Sequence, residues 1–94
     1  DNNQSIIAKC LNNISSIYCI KCEFEKALNY NNDSYEIRQK IYANDQNHPE
    51  IAYCLNSFGL IYDKSGEYDK ALEYYEKSYN IRKVIHANDL NHPD

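Results

Sequence analysis

Four cysteines are the residues of this chain whose type and spacing come closest to a metal or redox site. Cys19 and Cys22 form a C-x-x-C pair, and the remaining two thiols are Cys10 and Cys54. A zinc ribbon needs a second C-x-x-C pair, and a redox pair needs an exposed, reactive thiol between a strand and a helix. The sequence meets neither condition, so we expect no metal, no cofactor and four free thiols buried for packing.

Two histidines recur in identical Asn-His-Pro contexts. His48 precedes Pro49, and His92 precedes Pro93. A catalytic or ligating histidine needs a partner that converges on it, whereas proline is tolerated in the first turn of a helix. We therefore interpret both histidines as helix-start residues. Acidic residues fall on polar helix faces, and the sequence has no glycine-rich phosphate loop or nucleophile elbow, so we predict that the chain is not an enzyme.

Length and charge limit the remaining classes of function. The 94 residues carry a net charge of −4, which disfavours binding to nucleic acid or to acidic membrane surfaces. No apolar run is long enough to span a bilayer, and the first residues lack the pattern of a signal peptide. Together with the free thiols, these features predict a reducing, cytoplasmic environment.

An internal repeat supplies the elements that position these residues. Residues 7–50 align without gaps on residues 51–94 at a constant offset of 44 positions, and about half of the aligned pairs are identical. Asp1 and Asn3 match Asp45 and Asn47 at the same offset, so we interpret residues 1–6 as a linker from a preceding repeat. Residues 1–94 are thus predicted to form a single domain of two repeats.

Each repeat carries two stripes of apolar residues at helical spacing. The first stripe of the second repeat consists of Ile51, Leu55, Phe58 and Tyr62. Ser65 and Gly66 then interrupt the pattern, and a second stripe runs from Tyr68 to Arg82. The spacing predicts two helices joined by a short turn, with Phe58 in the core.

The first repeat copies this plan. Its stripes predict helices over about residues 4–21 and 24–43, with Asn44 as a left-handed C-cap and Asn88 as the equivalent cap in the second repeat. A helix with one apolar stripe is not stable alone, and stacking helix pairs buries the stripes. The predicted fold class is therefore an all-α solenoid.

The stripe residues resemble the signature of the tetratricopeptide repeat. The matching large, small and aromatic positions are Leu55, Phe58, Gly59, Tyr62, Ala71, Tyr75 and Ser78. The phrases CLNSFGLIY and GEYDKALEYYEKS are most similar to the long repeats of kinesin light chains. The resemblance covers both copies, and it implies an α–α superhelix of helix-turn-helix units that serves as a protein-interaction scaffold.

The first repeat departs from this signature at three positions. The replacements are Ser15 for Gly59, Cys22 for Gly66 and Asn31 for Tyr75. If the Cys22 backbone adopts a positive φ, it costs on the order of 1 kcal/mol relative to glycine. We therefore expect the first repeat to be the less stable of the two.

Asn12 and Asn56 are the residues that the resemblance most directly implicates in binding. Each follows the leucine of its first stripe by one position, and in similar repeats such residues line a concave groove that binds a peptide. The same offset adds Lys9, Ser16 and Cys19 from the first repeat and Tyr53, Leu60 and Asp63 from the second. The alternative is that both Asn side chains satisfy polar groups between helices.

Two other functions stay open at this point. The first alternative to an interaction scaffold is a repeat spacer that mainly stacks or self-associates. The second is a regulatory arm of a larger enzyme. Self-association is expected in any case, because the apolar faces of the first helix (Ile6, Ile7, Leu11 and Ile14) and the last helix (Tyr79, Ile81 and Ile85) are complementary. End-to-end stacking and exchange of a helical hairpin are both compatible with the sequence.

Overall fold

The computed structural model describes residues 2–90 of the chain. This part consists of four helices: α1 (Asn2–Ile20), α2 (Phe24–Ile41), α3 (Pro49–Lys64) and α4 (Tyr68–Leu90). Its remaining residues form turns, and no strand occurs between residues 2 and 90. The prediction of an all-α fold is therefore confirmed.

The helices pair in chain order. The closest packing is within the hairpins α1–α2 and α3–α4, and α2 then packs against α3, while α1 touches α3 only lightly. The core follows most of the predicted stripe of α3, because Ile51, Leu55 and Phe58 are buried. The last stripe residue, Tyr62, is half-buried, and its neighbour Ile61 is buried instead. The Phe58 ring lies between Tyr35 of α2 and Tyr74 of α4, with ring centroids 5.8 Å and 5.1 Å away.

The start of α3 follows from its Asn-His-Pro sequence. His48 is the N-cap, and its Nδ1 accepts a hydrogen bond of 3.1 Å from the backbone N–H of Glu50. Pro49 occupies the first turn, where its missing N–H has no helical partner to lose. The helix-start role of His48 is confirmed, whereas His92 lies outside the described residues.

The two turns inside the hairpins require a left-handed residue. Gly66 has a φ of 86° and Cys22, at the equivalent place, has a φ of 63°. Glycine adopts this conformation freely, but a residue with a Cβ is strained in it. The condition stated for a strained Cys22, a positive φ, is therefore met.

Three predictions about helix ends are wrong. Residues 2–6 are not a linker but the first turns of α1, because Ser5 stands where Pro49 begins α3. Asn44 is not a C-cap, since α2 ends at Ile41, and α4 continues through Asn88 to Leu90. Within the described residues only Cys22 and Gly66 have a positive φ.

The early end of α2 has a side-chain cause. The ring of Tyr42 stacks on His48 with centroids 3.6 Å apart, and its hydroxyl donates a 2.7 Å hydrogen bond to Glu50. This bond to a carboxylate, together with burial, raises the pKa of the Tyr42 phenol. These contacts hold Tyr42 against the start of α3. His86 stands at the equivalent position of α4 and carries no phenol.

The expectation of four buried thiols is half wrong. All four cysteines are free, and Cys19 and Cys54 are buried, but Cys10 and Cys22 are exposed. Cys54 and Cys10 occupy the same place in the two repeats; the difference arises because Cys54 faces α2, whereas no described helix covers Cys10. Burial of a repeat position therefore depends on its neighbour.

Candidate functional site

A groove of about 550 Å³ runs between α1 and α3 at the C-terminal halves of both helices. Its walls include Ser16, Cys19 and Ile20 of α1, Leu60 and Lys64 of α3, and Phe24 at the start of α2. α1 and α3 are the first helices of the two repeats, so the groove lies on the face that the resemblance implicates in binding. Its volume exceeds the roughly 440 Å³ of a second cavity, which lies between α2, α3 and α4 around Tyr35, Phe58 and Tyr74.

The floor of the groove is apolar. Cys19, Ala27 and Ile61 form a buried cluster, and Phe24 and Leu28 pack against it. Burial raises the pKa of the Cys19 thiol, although the nearby Lys64 ammonium opposes the shift. The thiol thus stays protonated at neutral pH and contributes a small apolar surface rather than a nucleophile.

The rim of the groove combines exposed apolar and polar side chains. Ile20 is 77% exposed and Leu60 is 44% exposed, although both are large apolar residues. Ser16 and Lys64 add a hydroxyl and a positive charge at the same rim, and Lys64 makes no ion pair with any described residue. Exposed apolar surface beside unpaired polar groups is typical of a ligand-binding site.

The other predicted binding residues lie outside the groove. Lys9 and Asn56 are exposed, and the Asn56 side chain makes no hydrogen bond to the described residues. Tyr53 is partly exposed, and its ring centroid lies 5.5 Å from the guanidinium carbon of Arg38. Asp63 accepts a 3.3 Å hydrogen bond from the hydroxyl of Tyr75. The groove thus brings together Ser16, Cys19 and Leu60, with Asn12 at its inner edge.

Asn12 is buried between helices. Its amide nitrogen donates a 2.7 Å hydrogen bond to Oδ1 of Asn31, and its own Oδ1 accepts bonds from Ser34 and Arg38. Asn31 in turn donates a 3.1 Å bond to the backbone carbonyl of Cys54. The geometry thus corresponds to the alternative interpretation of Asn12, in which the side chain satisfies polar groups between helices.

Arg38 is the central residue of this buried network, and the sequence pattern alone did not reveal it. It is 3% exposed, and its Nε lies 3.2 Å from Oε1 of Glu50, whereas its Nη1 donates to Sγ of Cys54 at 3.1 Å. The ion pair ties the end of α2 to the start of α3. The recurrence of arginine at positions 38 and 82, with an acid at positions 50 and 94, was the available signal.

The described residues offer little else for chemistry. Between residues 2 and 90, no three His, Cys, Asp or Glu side chains are close enough together to hold a metal ion. Within the same range, no helix is both long and apolar enough to cross a membrane.

Comparison with known proteins supports the resemblance. A family model described as tetratricopeptide repeat matches residues 6–83, a range that includes parts of both hairpins. A search of curated proteins finds no match to this chain. Repeats of this family generally mediate protein–protein interactions and are typically non-enzymatic scaffolds. With its two helical hairpins and this match over most of its length, the chain belongs to the tetratricopeptide repeat family.

Proposed function

We propose that this chain is an interaction module that binds an extended peptide in the groove between α1 and α3. The observation that carries the proposal is the groove itself, which has a buried apolar floor and exposed apolar residues at its rim. An apolar surface left open to water is unfavourable by about 25 cal/mol for each Å² that a ligand could cover. A partner that covers this surface therefore gains free energy.

The groove favours a peptide with a large apolar side chain. Such a side chain would lie over Cys19 and Ile61, between Ile20 and Leu60, and would bury apolar atoms on both sides. The Ser16 hydroxyl provides a donor or acceptor for the peptide backbone at the rim. Asn56, one helical turn before Leu60, has a free amide that extends this polar edge.

Peptide panning tests the proposal and does not require that the partner be identified first. Random peptides displayed on phage are selected on the chain, and the dissociation constant of a selected synthetic peptide is measured by fluorescence anisotropy. We expect Leu60→Lys to weaken binding about tenfold or more, because it places a charge where an apolar contact forms. Val84→Lys is the matched control, since it makes the same kind of change at an exposed position of α4.

The control variant should bind with the affinity of the original chain. Selected peptides should also be enriched in large apolar residues. Equal binding by the Leu60 variant, or selection of peptides without apolar residues, would show that the groove is not the binding site.

A further inference from the structure

The junction between α2 and α3 shows how one repeat of this chain receives the next. Tyr35 of α2 packs edge-on against Phe58, and Leu28 packs against the buried cluster that contains Ile61. Ser34 and Arg38 reach the Cys54 thiol from the same helix. Apolar contacts thus alternate with a polar network across one helix–helix interface.

The corresponding face of α1 has the same apolar character but is open. Its residues, at an offset of 44 from those of α3, are Ile7, Cys10, Ile14 and Ile17. Phe58 and Ile61 are 7% and 3% exposed, whereas their counterparts Ile14 and Ile17 are 41% and 56% exposed. An uncovered row of isoleucines along one helix is unusual for a small folded chain and indicates a contact surface.

The corresponding face of α4 is open as well. Tyr79 and Leu72 are the counterparts of Tyr35 and Leu28, and they are 62% and 57% exposed. Ser78 repeats a detail of the first hairpin, since its hydroxyl lies 2.9 Å from the carbonyl oxygen of Ala52 in α3, as the hydroxyl of Ser34 lies 2.9 Å from that of Ala8 in α1. α4 is therefore held on α3 by the same hydrogen bond that holds α2 on α1, and it turns its own copies of Tyr35 and Leu28 to the solvent.

We infer that a second copy of this chain docks its α1 on α4 and repeats the α2–α3 junction between two molecules. Tyr79 then packs on Ile14 of the second copy, and Leu72 packs on Ile17. The contact is heterologous, because it joins two different faces, and each added copy leaves one of each face free. The result is an open, head-to-tail chain of copies rather than a closed dimer.

The intermolecular junction lacks one stabilising element of the inner one. Ile6 stands at the position of Glu50, and Lys9 stands at that of Tyr53, so Arg82 meets neither a carboxylate nor an aromatic ring. Association between copies is therefore weak, and Ile6→Glu supplies the missing partner of Arg82. We expect Ile6→Glu to tighten the association about tenfold at low salt.

Sedimentation velocity of the 94-residue chain, from about 10 µM to about 1 mM, tests the inference. The mean sedimentation coefficient of the original chain should rise with concentration past the value of a dimer. Tyr79→Lys blocks only the α4 face and Ile17→Lys only the α1 face, so each variant alone should stay monomeric. An equimolar mixture of the two should form dimers and nothing larger, because one intact face of each kind remains.

Two matched controls come from the repeat itself. Val84→Lys and Ile20→Lys introduce the residues that α2 and α3 carry at equivalent places, the exposed Lys40 and Lys64. Both controls should associate like the original chain. Circular dichroism at about 10 µM, the lowest concentration of the sedimentation series, should show unchanged helicity for all four variants. All four of the replaced side chains are exposed.

Four results would overturn the inference. One is a chain that stays monomeric at every concentration. A second is a plateau at the dimer that neither lysine variant removes, which indicates exchange of a hairpin. A third is association of the Ile17 variant alone, which indicates pairing of two α4 faces. The last is a mixture of the two blocked variants that remains monomeric.

Discussion

The two repeats of this chain share about half of their residues, yet they fill the space inside their hairpins differently. In the second repeat, the Tyr75 ring lies against Gly59, where an added Cβ would approach the ring to 2.7 Å. In the first repeat, Asn31 replaces the ring, and Ser15 occupies the freed space and donates a 2.7 Å hydrogen bond to the carbonyl of Ala27. We therefore expect the two positions to be coupled, because a side chain larger than glycine at position 59 collides with the ring of Tyr75.

Identical residues also differ between the repeats. Asn12 and Arg38 are buried in a network that reaches Cys54 and Glu50, whereas Asn56 and Arg82, their copies, are exposed. One difference lies in the neighbour, since α3 packs on the face of α2 that is turned away from α1, whereas no described helix packs on the corresponding face of α4. A repeat position therefore acquires its energetic role from the helix that packs on it.

The largest expected difference in stability between the repeats concerns Phe58 and its counterpart Ile14. Phe58→Ala should lower the free energy of unfolding by about 3–5 kcal/mol, because a packed aromatic ring leaves a cavity. Ile14→Ala should cost about 1 kcal/mol, because Ile14 is already half in water. Urea denaturation followed by circular dichroism measures both, and similar losses for the two variants would contradict the comparison.

The second largest difference in stability is expected between substitutions of Arg38 and of its copy Arg82. Arg38→Ala should lower the free energy of unfolding by about 2–4 kcal/mol. The change leaves buried hydrogen-bond acceptors without a donor and removes the positive charge that pairs with the Glu50 carboxylate. Arg82→Ala should change stability by less than about 0.5 kcal/mol, because the side chain is exposed. Thermal melts at low protein concentration compare the two variants. A large loss of stability in the Arg82 variant would show that this side chain is not exposed to solvent.

Gly59 tests the coupled packing. Gly59→Ser should cost about 1–3 kcal/mol, since the new Cβ collides with the Tyr75 ring. Adding Tyr75→Asn recreates the pair found in the first repeat and should recover about 1 kcal/mol relative to the sum of the single changes. Denaturant unfolding of the three variants gives the coupling energy. Strict additivity would mean that the two positions are independent.

The smallest effect is at the left-handed turns. Cys22→Gly should stabilise the chain by about 0.5–1 kcal/mol, because it relieves the positive φ at Cys22. Gly66→Ala should destabilise it by about 1 kcal/mol for the same reason. The midpoints of thermal unfolding should move in opposite directions. A shift of both midpoints in the same direction would rule out backbone strain as the cause.

Local signals in the sequence predicted the helices and the helix-start role of His48, because each depends on residues close in the chain. The partners of Asn12 were not predictable in this way, since they lie on α2 and Arg38 connects them to α3. The exposure of Cys10 likewise depends on which helix covers α1. The groove was predicted in part: Ser16, Cys19 and Leu60 line it, but Lys9 and Tyr53 do not.

The most direct test of the proposed function is to map a selected peptide on the chain by NMR. Amide chemical shifts of the Tyr79→Lys variant, which we expect to be monomeric, are recorded during titration with the peptide. We expect the largest changes at Ser16, Leu60 and Lys64, on both sides of the groove. Changes confined to the outer face of α4, or spread evenly over the four helices, would contradict a peptide-binding groove between α1 and α3.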